Sequence, residues 1–172
     1  MKFSLKQTEI YCFIIASILG VLFHFVYEWS GNNPIAGLFF PVNESTWEHL
    51  KLIFFPILIT SVLEYKMLNF RPDCFICTKL VSSLTGMLVT VVLFYTYSGV
   101  LGKNIDFLNI AIFFIAMATA WIYSYRTFSS GKNVCHLSHA GKWVCILSVL
   151  IVILLFFIFT VSPPGIALFQ AP

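Results

Sequence analysis

Five stretches of this chain are apolar almost without interruption, at 10–27, 46–65, 80–97, 107–125 and 142–161, and short polar segments separate them. A helix needs about 20 apolar residues to cross a hydrocarbon core of about 30 Å, and each stretch has that length. The runs are continuous rather than alternating, which argues against a β-barrel. The pattern predicts an all-α integral membrane bundle of about five transmembrane helices, forming a single domain over residues 1–172.

The polar punctuation fits this reading. Thr8 can cap the first helix, and Ser30-Gly31-Asn32-Asn33-Pro34 is a string of turn formers that ends it. Residues 35–41 are apolar but too short to span, so they are expected to lie at the outer interface. Ser45 and Glu48 have the Ser-x-x-Glu spacing of a capping box at the start of the second helix. Pro56, within that helix, predicts a kink. Gly102-Lys103-Asn104 turns the third helix into the fourth, and Ser162-Pro163-Pro164-Gly165 stops the fifth. The apolar tail 166–169 should lie back on the membrane or plug the mouth of the bundle.

Composition narrows the class further. Of 172 residues, 59% are hydrophobic and 10% charged, with mean hydropathy +0.92, which leaves too few charges for a soluble domain. The bilayer is the partner this composition requires. Lys2, Lys6, Lys66, Arg71, Lys79, Arg126, Lys132 and Lys142 flank one set of helix ends, against Lys51 and Lys103 on the other. That bias predicts a cytoplasmic N-terminus and an external C-terminus. It also accounts for the net charge of +3 by topology, with no nucleic-acid partner implied.

The chemistry-bearing residues gather at the predicted outer face. His24 and Glu28 stand four apart on one helix face, while Glu44, Glu48 and His49 open the second helix at the same level. Ionisable groups at membrane depth usually face a cavity or a partner. Imidazoles and carboxylates suit a divalent metal such as zinc, and His24, Glu28, Glu48 and His49 are the expected ligands. The same residues, with Glu64 deeper along the second helix, could instead bind or relay protons. Glu64, at a helix C-terminus, needs a cationic partner, for which Lys66, Arg71 and Arg126 are candidates. At the opposite face, Cys74 and Cys77 form a C-x-x-C, and with Cys135 and His139 they could close a zinc clip between two loops. The plainer expectation there is reduced thiols, with Cys12 and Cys145 as packing residues.

The stretch His24-Phe25-Val26-Tyr27-Glu28-Trp29-Ser30-Gly31-Asn32, followed by Pro41-Val42-Asn43-Glu44-Ser45-Thr46-Trp47-Glu48-His49-Leu50-Lys51, resembles a bacterial family of small multi-pass membrane proteins built on a domain of unknown function. The resemblance continues through Phe94-Tyr95-Thr96-Tyr97-Ser98-Gly99 to Pro163-Pro164 and Ala167-Leu168-Phe169. It implies a bacterial inner-membrane protein and brings no activity with it; Cys74, Cys77 and Cys135 lie outside its pattern. Three functions stay open on the residues. The leading one is binding or transport of a cation, proton or small polar ligand at the outer His/Glu cluster. A membrane-embedded metal-dependent hydrolase or transferase is the second, and no G-x-S-x-G or H-E-x-x-H motif supports it. The third is a structural or accessory subunit, either as a homo-oligomer or beside a membrane partner.

Overall fold

The computed structural model describes residues 4–68, 74–130 and 138–171. Among them the elements run α1 (Leu5–Trp29), α2 (Pro34–Phe39), α3 (Thr46–Met67), α4 (Phe75–Leu101), α5 (Asp106–Ser129), α6 (His139–Val161) and a 3-10 turn at Ala167–Phe169, with no strand. Each long helix contains its expected apolar run and continues into polar residues at one end or both. α1 starts early because Ser4 and Gln7 close a reciprocal capping box. Thr8, expected as the cap, is a fully buried residue inside the helix.

Helix α3 is the axis of the bundle. α1 and α4 pack against it most extensively, α5 lies across α1 and α4, and α6 rests on α4 and α2 at the periphery. The apolar segment Ile53, Phe54, Phe55 and Ile57 meets Met117, Ala116, Ala120 and Phe156 in one buried core. Four helices, α1, α4, α5 and α6, are long and apolar enough to cross a membrane. α3 differs from the expected five equals. Its 22 residues give a length of about 33 Å, but it carries Glu48, Lys51, Glu64 and Lys66, and its neighbours enclose it. α6 is the opposite case, with a window of mean hydropathy 3.3 of which only 6% is buried. Such a helix needs lipid as its solvent.

Pro56 lies inside α3 and has no N–H to offer the carbonyl of Leu52 one turn earlier. That carbonyl faces α1 at Gly20, where an added Cβ would fall 2.8 Å from the Leu52 oxygen and 2.6 Å from Phe113 Cζ. The missing side chain lets α1 sit against the part of α3 whose ladder proline interrupts. Gly20→Val is therefore expected to destabilise the fold by about 1–3 kcal/mol through overpacking. Gly99→Ala, where nothing lies within 4 Å, should cost nothing. Thermal unfolding of the two purified variants checks the contrast, and equal midpoints would remove the packing role assigned to Gly20.

At the other end of the sequence, the apolar tail returns to the bundle. Phe169 packs with its ring centroid 5.0 Å from Trp47 and 5.1 Å from Phe159, covering the start of α3 and the end of α6. α2 is capped by Asn33, whose Oδ1 accepts from the Ile35 N–H, and it lies over the same mouth.

Candidate functional site

The rim at one end of the bundle is built by the last turns of α1 and the entry to α3. Ser45 caps α3, its Oγ accepting from the Glu48 N–H at 3.3 Å, and Asn43 Oδ1 holds the Ser45 N–H at 2.9 Å. This tight entry directs Glu44 back across the rim. Its two oxygens lie 3.7 Å from His24 Nε2 and 3.3 Å from His49 Nε2. The imidazole rings are 5.4 Å apart, and one ligand atom from each of the three residues fits within a 4.8 Å spread. His49 Nδ1 stands 2.9 Å from the Ser45 carbonyl oxygen. A carbonyl only accepts, so Nδ1 carries the hydrogen and Nε2 is the atom turned to Glu44. The His49 ring holds the Glu44 carboxyl below its ordinary range, with partial burial opposing and His24 adding to the effect.

Two of the expected ligands belong elsewhere. Neighbouring residues on a helix diverge by about 100°, so Glu48 and His49 cannot face the same ligand. Glu48 turns inward, where Lys51 Nζ lies 2.6 Å from its Oε2, the Val42 N–H donates to that oxygen, and Thr160 on α6 donates to Oε1 at 3.0 Å. The anticipated return bond from Glu48 to Ser45 is thus replaced by an ion pair. Lys51 is completely buried and also donates to Gly37 O at 2.8 Å and Thr160 Oγ1 at 2.7 Å. Glu28 shares a face with His24 but lies a turn farther out, exposed and outside the gathered set.

A second buried ionic centre occupies the opposite end of α3. Glu64 pairs at 2.5 Å with Lys79 of α4, not with Lys66 or Arg126; Arg71 lies outside the described residues. Lys79 also stands 3.4 Å from Glu9 Oε2 and donates to Ser124 Oγ at 2.6 Å. Ser124 in turn donates to Glu9 Oε1 at 2.7 Å. The ammonium lies 5.2 Å from the Trp121 ring centre and 5.4 Å from that of Phe128. Sequence reasoning found Glu64 and missed its companions. Lys79 had been counted as a loop charge, and Glu9 sat unremarked at the edge of the first apolar run.

The cysteines also differ from expectation. Cys77 in the first turn of α4 and Cys145 of α6 form a disulfide across a Cα separation of 5.3 Å, and Cys74 is disulfide-bonded as well. Neither sulfur of the C-x-x-C is a thiolate available to zinc. His139 is exposed at the start of α6, and Cys135 lies outside the described residues. Cys12 is the free cysteine of the described chain, buried in the core as expected.

No curated protein and no solved structure matches the chain. A family model does match, over residues 2–172. The chain, with its charged helix enclosed by apolar ones, belongs to the DUF6512 family, a family of unknown function.

Proposed function

We propose that this multi-pass membrane protein binds a divalent transition-metal cation such as Zn²⁺ at its outer rim, through His24, Glu44 and His49. The observation that carries the reading is the convergence of one ligand atom each from His24, Glu44 and His49 within 4.8 Å of one another. With Nδ1–H held by the Ser45 carbonyl, Nε2 faces the Glu44 carboxylate at 3.3 Å: the protonated ring donates to that carboxylate, and the neutral ring presents a lone pair beside it, so that a cation can take the place of the proton. A metal-ligating histidine commonly anchors its other ring nitrogen in just this way. His24 supplies a third ligand from a different helix, and three protein ligands leave a coordination position open.

Binding is favoured over passage through the bundle. Between the rim and Glu64, α3 presents Ile53, Phe54, Phe55 and Ile57, all closely packed, and the buried hydroxyls of Thr60 and Ser61 beyond them are engaged with carbonyls of their own helix. An open coordination position would also suit hydrolysis, but Glu48, the nearest candidate base, is engaged with Lys51. In this reading α3 is the fifth span and the membrane is the bacterial inner membrane, with the Lys/Arg-rich ends inside. Setting aside buried Lys51 and Lys79, the remaining basic residues still divide seven to one by sequence. The Lys/Arg bias is taken over the Cys77–Cys145 bridge at that same end, which by itself argues for an oxidising compartment there. The rim then faces outward, where it can meet metal from outside the cell.

Elemental analysis of the detergent-purified chain tests the metal. About one equivalent of a transition metal is expected, lost in a His24→Ala, His49→Ala double variant and retained in Glu28→Gln. Metal-free wild type after chelator-free purification and zinc dialysis, or metal that survives the double variant, would overturn the assignment.

A further inference from the structure

We propose that the junction of α1, α3, α4 and α5 at the Lys/Arg-rich end is a proton-binding centre, in which Glu9 and Glu64 share one exchangeable proton beside Lys79. The argument begins with charge. α1 contributes the Glu9 carboxylate and the Cys12 thiol, α3 the Glu64 carboxylate and α4 the Lys79 ammonium. α5 contributes only uncharged groups, Ser124 and Trp121. Among the described residues, two carboxylates against one ammonium leave a net charge of −1, since a thiol is neutral near pH 7. Glu9, Glu64 and Lys79 are all nearly or completely buried, and an uncompensated charge in such a place is strongly disfavoured. One bound proton restores neutrality.

Geometry says where the proton belongs. Lys79 faces three oxygens, those of Glu64, Ser124 and Glu9, which matches its three N–H groups. Ser124 relays its own hydrogen to Glu9 Oε1, so both oxygens of Glu9 have a donor beside them. Glu64 is left short: Oε2 meets Lys79, and Oε1 has no hydrogen-bond partner among the described residues. The two carboxyl groups meet at one ammonium, Glu64 Oε2 at 2.5 Å and Glu9 Oε2 at 3.4 Å from Lys79 Nζ. A second polar group of the same junction, the Trp121 Nε1–H, is likewise buried without a partner. The Glu64 oxygen not engaged by Lys79 is a place for a proton, and ionisable groups in spanning helices characteristically serve proton relays.

Infrared difference spectroscopy of the full chain in detergent, with glutamate carboxyls isotopically labelled, tests this. Wild type at neutral pH should show the carbonyl stretch of about one protonated glutamic acid per chain, the count required by the charge imbalance. The band should shift in heavy water and vanish on alkalinisation as carboxylate appears. Glu64→Gln and Glu9→Gln, each leaving a single carboxylate for Lys79, should both abolish it, while Glu28→Gln should leave it intact. Absence of the band in wild type at neutral pH overturns the proposal without recourse to any variant. So does a band that persists in both glutamine variants, or stoichiometric sodium binding that replaces the proton.

Discussion

Replacing Lys79 by methionine is expected to lower the unfolding free energy by about 3–5 kcal/mol, the cost of removing one partner from a buried ionic group. Lys79 touches Glu64, Glu9 and Ser124 and lies among Trp121, Phe128 and Phe75. It is therefore the common contact of four helices. Methionine retains the packing volume against the three rings but leaves the buried Glu9 and Glu64 pair, with its one negative charge, without a counter-charge. A triple variant, Lys79→Met with Glu9→Gln and Glu64→Gln, should recover much of the loss, because replacing the whole charged set by neutral groups is far less costly than breaking it. Denaturant unfolding in mixed micelles reads both. A loss below about 1 kcal/mol in the single variant, the range of exposed pairs, would mean that the junction is wetter than its burial indicates.

That junction also shows where sequence reasoning stops. The apolar runs marked every long helix, because the bilayer requires about 20 apolar residues per span whatever their packing. They did not show that α3 is enclosed by the others, since its depth depends on how helices from distant parts of the chain assemble around it. Lys79 illustrates the difficulty. Position in the sequence makes it a topology marker beside Lys66 and Lys142, and only the approach of α1 and α5 turns it into an internal counter-ion.

At the outer rim, the two histidines were legible from their common depth on consecutive helices. The carboxylate that joins them was named in the broader cluster but not as a metal ligand, and the reason is local. Glu48 is on the wrong side of α3 by the roughly 100° that separates adjacent residues, whereas Glu44 precedes the helix and is aimed by the cap at Ser45. The capping-box spacing was half informative for the same reason. It located the start of α3 and the Ser45 to Glu48 backbone bond, but the Glu48 side chain finds a stronger, charge-assisted partner in Lys51.

The second large effect is expected at that partner. Lys51→Met should destabilise the fold by about 3–5 kcal/mol, comparably to Lys79→Met but with a different structural signature. Lys51 Nζ holds the Gly37 carbonyl of α2, Thr160 of α6 and Glu48 of its own helix, so it secures the cover over the outer mouth. Without it, Glu48 keeps only the Val42 N–H and the Thr160 hydroxyl, too few donors for a buried carboxylate. Adding Glu48→Gln should restore part of the stability by removing the unpaired charge, but it cannot replace the contact with Gly37. Hydrogen exchange should therefore remain faster across α2 in the double variant than in wild type, while the amides around Glu64 keep their protection. The two ionic centres sit 13 residues apart on α3, about 20 Å, and sites at such separation usually contribute independently. Combining Lys51→Met with Glu64→Gln should consequently give the sum of the separate effects within about 0.5 kcal/mol. A larger departure would mean that α3 transmits the state of one ionic centre to the other.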